Sequence, residues 1–237
     1  MGAIFMKKVL LGILIIIVIA FGIIVIRYAY NPSYDKSEMM TQEDIHNILN
    51  KRLNVKNIYA KNIREDKIGD VGNLILYSEF FVKDNMVKVV ETTENGQKKI
   101  YQENRNTGEV IWLFETKECI VKYQNKMNAF DIVKGYDYLN LEEDVFISDV
   151  YTNLDYLGKT KIDDRNVIVI LLERNDVVKE FIYIDEETGF ILKHITKNPL
   201  VQYVSETKIK VDFVTDDEVK MIDYEKEYPN YKVTDMK

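Results

Sequence analysis

From residue 74 onward the hydrophobic residues recur with a period of two, and short turn-forming stretches interrupt them. That pattern belongs to β-strands, and consecutive strands joined by such short connections pair antiparallel. Leu74 to Val82, Val87 to Thr92, Lys98 to Gln102, Val110 to Phe114 and Cys119 to Tyr123 read as a first set, separated by KDN, ENGQ, RNTGE and TKE. Tyr156 to Ile162, Val167 to Glu173, Val177 to Ile184, Phe190 to Thr196 and Tyr203 to Val214 read as a second.

Two of the turns share a form. YQENRNTGEVIWLF at 101–114 and YIDEETGFILKHI at 183–195 both place an amide or acid, spacers and Thr-Gly between apolar runs. Asn104 and Asp185 can each start a turn through the side chain, and Gly108 and Gly189 supply the positive φ that closes it. The repeat therefore predicts hairpin architecture, not catalysis.

The last strand has two unlike faces: Ser205, Thr207, Ile209, Val211 and Phe213 alternate with Glu206, Lys208, Lys210 and Asp212, so one face is wet. Around 110 both faces are apolar, with Val110, Trp112 and Phe114 on one and Ile111 and Leu113 on the other. A sheet apolar on both sides must be covered on both or line a cavity. Two helices are available. One starts at Thr41, with Asp44 completing a capping box and Ile45, Ile48, Leu49 and Leu53 on one face. The other, over Met127 to Leu141, is split near Gly135 and Tyr136. Two are too few to cover both faces, which predicts an α+β fold: a curved, mostly antiparallel sheet wrapped partly around its helices. Phe80, Phe81, Trp112 and Phe114 are candidates for an apolar concave face that holds acyl chains, and Phe130, Tyr136 and Tyr138 for partner contact.

Ahead of this body, Val9 to Ile26 is free of charge, eighteen residues that span about 27 Å as a helix at about 1.5 Å per residue. Val9, Leu10, Leu11, Ile15, Ile19, Phe21, Ile24 and Ile26 are its membrane-facing candidates, making the lipid bilayer the first expected partner. Lys7 and Lys8 before it against Arg27 after it favour a cytoplasmic N-terminus and an external body. A cleaved signal peptide is the competing reading, but Ala20-Phe21-Gly22, the one small-residue cleavage candidate, lies inside the apolar run. A lipid anchor would need a cysteine just after that run, and the single cysteine is Cys119, in an apolar strand.

Without Lys7, Lys8 and Arg27 the body holds 29 basic residues against 39 acidic ones, a charge of −10, which repels nucleic-acid backbones. One cysteine excludes an intramolecular disulfide, and His46, His194 and Cys119 lack ligand spacing, so no metal or other cofactor is expected. Acidic clusters at Glu142 to Asp144, Asp163-Asp164, Asp185 to Glu187 and Asp216 to Glu218 fall in turns or at element ends, where solvated carboxylates are chemically idle. No nucleophile or phosphate-binding motif occurs, so no catalytic residue is assigned.

The order of elements, together with YIDEETGFILK at 183–193, KVDF at 210–213 and the turn-rich meander over 74–123, resembles the bacterial lipoprotein-carrier superfamily, the half-barrel fold of LolA, LolB and RseB. KNIYAKNI and NRNTGEVIWLF look most like its Firmicute members, the germination lipoprotein GerS and its relatives in spore-forming clostridia. That resemblance implies a half-barrel over 41–215 and a non-catalytic partner of a spore-cortex amidase of the CwlD kind, or else a carrier or acceptor of lipid or lipoprotein. The chain departs from GerS in replacing the lipid anchor with a membrane span. The full organisation expected is a cytoplasmic segment over 1–8, an anchor over 9–27, a tether over 28–40, the half-barrel, and a charged segment over 216–237 that packs briefly on the body and then frays. Pairing of a sheet edge with another chain, including a swapped homodimer, is a route of assembly open to such a fold.

Overall fold

The computed structural model describes residues 34–36, 38–68, 72–124, 153–174, 177–198 and 201–236. The expected anchor over 9–27 and the helical insertion over 127–141 lie outside these residues. Among the described residues no helix is long and apolar enough to cross a membrane.

The described residues contain twelve strands: β1 (Asn57–Ile68), β2 (Gly72–Lys83), β3 (Met86–Thr93), β4 (Lys98–Asn104), β5 (Glu109–Phe114), β6 (Cys119–Gln124), β7 (Asn153–Ile162), β8 (Arg165–Arg174), β9 (Val178–Asp185), β10 (Ile191–Lys197), β11 (Val201–Val211) and β12 (Lys232–Met236). They form one open sheet in the order β12-β6-β5-β4-β3-β2-β1-β11-β10-β9-β8-β7. Each neighbour is antiparallel except β12, which lies parallel to β6. The sheet is thus two meanders joined where β1 pairs with β11, from Ile58 opposite Val211 to Ile68 opposite Val201. This open, mostly antiparallel sheet with few helices agrees with the expected fold class.

Two strands were not anticipated. The first, β1, has Asn62 fully buried at its middle, where the amide nitrogen donates to Ser205 Oγ at 2.7 Å and Thr207 Oγ1 at 2.8 Å. A buried amide satisfied across strands reads in sequence as a wet position, which hides the period. The other, β12, extends the sheet where a frayed end was expected. At the opposite limit, β11 stops at Val211 because Asp212 takes a left-handed φ of 54° and its amide donates to the Asn57 carbonyl at 3.0 Å.

Helix α1 (Gln42–Asn50) begins at Thr41, whose hydroxyl accepts from the Asp44 amide at 3.2 Å while Asp44 accepts from the Thr41 amide at 2.8 Å. Donation to that carboxylate from the Thr41 hydroxyl, at 2.7 Å, and then from the Thr41 amide holds the Asp44 carboxyl below its ordinary range. Ile45, Ile48 and Leu49 pack on Ile168, Ile170, Leu172, Ile182, Ile184 and Ile191. Burial of three such side chains contributes on the order of 6 kcal/mol as an upper bound. The helix ends against the second Thr-Gly turn: Gly189 has φ +76°, and a Cβ there would run into the Ile48 and Leu49 carbonyl oxygens.

The C-terminal segment covers the other meander. With its short helices α2 (Asp216–Val219) and α3 (Tyr224–Glu227), it lays Met221, Ile222, Tyr224, Tyr228 and Tyr231 over Ile100, Ile111, Leu113 and Ile120. Fully buried Gln102 fastens it, donating to the Lys220 carbonyl and accepting from the Ile222 amide, each at 2.8 Å. At the far edge, Asp35 exchanges backbone hydrogen bonds of 2.9 and 2.8 Å with Lys159 of β7. Gly158, φ +131°, makes room there, because a Cβ would lie 2.5 Å from the Asp35 carbonyl oxygen.

Candidate functional site

The four aromatic residues assigned to an apolar ligand face do not share one surface. Cross-strand pairing puts Ala60, Phe80, Val89, Tyr101, Trp112 and Val121 in a single row, and Phe114 one row further on the same face. Phe80 is 1% exposed and packs in the core with Tyr101, so protein already fills its surroundings. Trp112 is half-buried, edge-on to Tyr101 at 4.7 Å and stacked with Phe114 at 6.2 Å, with the Lys99 ammonium 4.2 Å from its ring centre. Phe81 points to the opposite face. Phe130, Tyr136, Tyr138 and the anchor residues Val9 to Ile26 lie outside the described residues.

The turn residues act locally. Asn104 accepts from the Asn106 amide at 3.0 Å, and the Gly108 amide, at φ +74°, returns to the Asn104 carbonyl at 2.8 Å. Asp185 accepts from the Thr188 amide at 3.1 Å and from the Arg165 guanidinium at 2.9 Å, and the Gly189 amide donates to its carbonyl at 2.9 Å. Unlike the solvated carboxylates expected of such turns, Asp185 is 1% exposed. Its charge is matched by Arg165, which ties the β7–β8 turn to the β9–β10 turn.

Three further polar groups sit inside the sheet. Glu103, with no exposed surface, accepts from the Tyr101 hydroxyl at 2.9 Å and lies 3.9 Å from the Arg105 guanidinium. Burial, then the Glu103 charge, pushes the Tyr101 phenol far above its ordinary range. His194 faces Glu180 at 3.0 Å and Tyr203 at 2.7 Å, with Arg64 stacked 5.0 Å from the Tyr203 ring centre. Cys119 is a half-buried free thiol. Among the described residues no group of three or more His, Cys, Asp or Glu could hold a metal ion.

The open surface lies on the other face of the central strands. There, pairing aligns Tyr59 with Phe81, Lys61 with Glu79, and Ile63 with Tyr77, giving alternating apolar and charged rows. Ile63 is 43% exposed, Tyr77 37% and, on the far side of the Lys61–Glu79 row, Phe213 49%, values high enough to leave these apolar side chains open to solvent. Tyr59 organises it: its ring lies 5.1 Å from Phe81 and 5.8 Å from Phe213, and its hydroxyl donates to Glu79 at 2.6 Å. Burial and that hydrogen bond to Glu79 push its pKa up to about 12. Beside Tyr59 opens a cleft of about 270 Å³, whose lining includes apolar Ile162 and Leu192 and charged Asp163, Asp164, Lys208 and Lys210. None of these surface positions on β1 or β2 was singled out in the sequence, apart from Phe81. The available signal was the alternation of Tyr59, Lys61 and Ile63 with Ile58, Ala60 and Asn62.

No protein-family model matches the chain, and no curated protein matches it. Solved structures similar to it include an uncharacterized conserved protein from Thermus thermophilus, at 10% identity over 83% of this chain and 100% of that one, with a TM-score of 0.49. MucB is 12% identical over 76% of this chain, TM-score 0.49, and the match spans 62% of MucB, less than two thirds of its length. A LolA superfamily protein from Nitrosomonas europaea is 10% identical over 79% of this chain and 100% of its own, TM-score 0.34. Likeness at this level says nothing about ligand or partner.

Proposed function

We propose that this chain is a single-pass, membrane-anchored, extracytoplasmic binding protein without catalytic activity, and that it holds another protein. The GerS-like sequence features extend the proposal to a spore-former, where the partner is a cortex-modifying cell-wall amidase of the CwlD kind and the membrane is that of the forespore. The observation that carries the binding role is the set of solvent-exposed apolar side chains on one face of the central strands, Ile63 on β1 and Tyr77 on β2, with Phe213 just past the end of β11 beside Tyr59 and Phe81. Exposed apolar side chains bordered by charged ones are characteristic of interaction sites.

The test is cross-linked affinity capture of the full-length tagged protein from growing and sporulating cells, with co-purifying proteins and lipids identified by mass spectrometry. Stoichiometric recovery of a cell-wall amidase in sporulating cells is the expected result. Stoichiometric lipid or lipoprotein with no protein partner would overturn it in favour of a carrier or acceptor.

A further inference from the structure

The open patch carries an electrostatic peculiarity. Lys61 and Lys208 are directly opposite each other across β1 and β11, and Lys210 follows two residues along the same face, next to Tyr59. Like charges directly opposite on neighbouring strands are destabilising. In a chain of formal charge −7, acidic residues to relieve them are plentiful. Among the described residues relief is slight: Lys208 pairs with Asp163 at 3.7 Å, with both side chains largely exposed, while Lys210 lies 4.3 Å from the Phe213 ring centre. Glu79, the other neighbour of Lys61, is engaged by the Tyr59 hydroxyl.

The cleft adjoins these lysines, and two of them form its wall. At about 270 Å³ it falls below the ~300–1,000 Å³ of sites for cofactors and drug-sized ligands, but it admits one or two side chains. Its lining combines apolar Ile162 and Leu192 with Lys208 and Lys210 on β11, while Asp163 and Asp164 enter at the β7–β8 turn. Those two carboxylates would repel a uniformly anionic lipid surface. They are compatible with a polypeptide that brings its negative charge only to the lysine side.

We propose that this face receives an acidic segment of the protein partner, with an apolar side chain entering the cleft beside Leu192 and Ile162 and flanking carboxylates meeting Lys208, Lys210 and Lys61. The proposal rests on the partner-binding reading and names the chemistry of that partner. Apolar anchoring with charged flanks divides the work in the usual way, since the buried contact holds and the charges orient and select.

The test uses full-length protein in detergent, with a fluorescently labelled, end-blocked pentapeptide of alternating glutamate and leucine as probe. A lysine and leucine pentapeptide and short-chain phosphatidylglycerol serve as competitors. The acidic peptide is expected to bind, to weaken with added salt, and to bind at least tenfold more weakly to the K208E/K210E double variant; both sites are exposed, and unchanged thermal unfolding confirms that the variant is folded. Equal binding to the variant, no binding at millimolar peptide, or displacement by phosphatidylglycerol alone would overturn the proposal. Capture from cells separates the two claims. If wild type and K208E/K210E recover the partner equally, the docking face is wrong and partner binding stands. If wild type recovers no protein while the acidic peptide still binds at this face, the partner-binding reading is wrong.

Discussion

Replacing Gln102 with leucine tests how the C-terminal segment is held. The side chain is fully buried and nearly isosteric with leucine, so the change removes two hydrogen bonds of 2.8 Å and little volume. The Ile222 amide, in a half-buried stretch, loses its acceptor, at a cost of about 1–3 kcal/mol; the Lys220 carbonyl can turn to water and costs about 0.5–1 kcal/mol. A total of about 1.5–4 kcal/mol follows. The segment should nevertheless stay docked, because releasing it would expose Ile100, Ile111, Leu113 and Ile120, at about 2 kcal/mol each. Urea unfolding of Gln102→Leu should therefore show a lower midpoint with unchanged slope, and hydrogen exchange should show lost protection at the Ile222 amide. Gln102→Glu separates the two bonds. It keeps an acceptor for Ile222 but sets a buried carboxylate against the Lys220 carbonyl, which raises the folded pKa of that carboxyl. Its stability should be greatest below the unfolded pKa, about 4.3, and fall as pH rises through the folded value. A loss under about 0.5 kcal/mol in Gln102→Leu, below the usual range for a lost hydrogen bond, with Ile222 still protected, would refute the clamp.

Gly189→Ala should cost more than about 3 kcal/mol, since a left-handed φ of +76° and the Ile48 and Leu49 carbonyls both oppose a Cβ; Gly96→Ala, at φ +79° with open space around it, should cost about 1 kcal/mol, and chemical denaturation compares the two. Equal costs would mean that α1 does not press on the turn. Tyr59 should ionise near pH 12, seen as the absorbance change at alkaline pH that Tyr59→Phe lacks. Because its folded pKa is raised above the unfolded value of about 10, its contribution to stability is complete below pH 10 and is lost as pH climbs toward 12.

Much of the sheet was legible because its strands alternate and its turns carry their own chemistry. Ten strands and the start of α1 were readable from period, Gly and capping residues alone. What stayed hidden was tertiary. The period of β1 is broken by Asn62, buried because Ser205 and Thr207, 143 and 145 residues away in sequence, supply its partners. Asp185 looked like an idle turn acid, and only the arrival of Arg165 from another hairpin makes it a buried ion pair. Likewise Lys61 and Lys208 are ordinary surface lysines taken singly, and their opposition exists only in the β1–β11 register.

That register also bears on how a partner would engage the sheet. An open sheet offers two edges, and edge pairing was one of the contacts considered from sequence. On β7 the outer edge is met by Asp35, bonded in both directions to Lys159, with Lys159 further held by Glu38 at 2.6 Å and Glu186 at 2.9 Å. On the other side β12 is five residues long and carries Lys232 and Asp235, the short, charged form by which sheets discourage further pairing. Segments near the two ends of the described chain thus guard each edge, Asp35 by a bridge at Lys159 and β12 by its short, charged form. The central strands, where β1, β2 and β11 meet, keep exposed rings and opposed lysines that the described residues relieve only slightly. If pairing through an edge were the mode of assembly, the self-protection would be expected in the middle and the open groups at the rim; the observed distribution is the reverse, and it favours docking on the face.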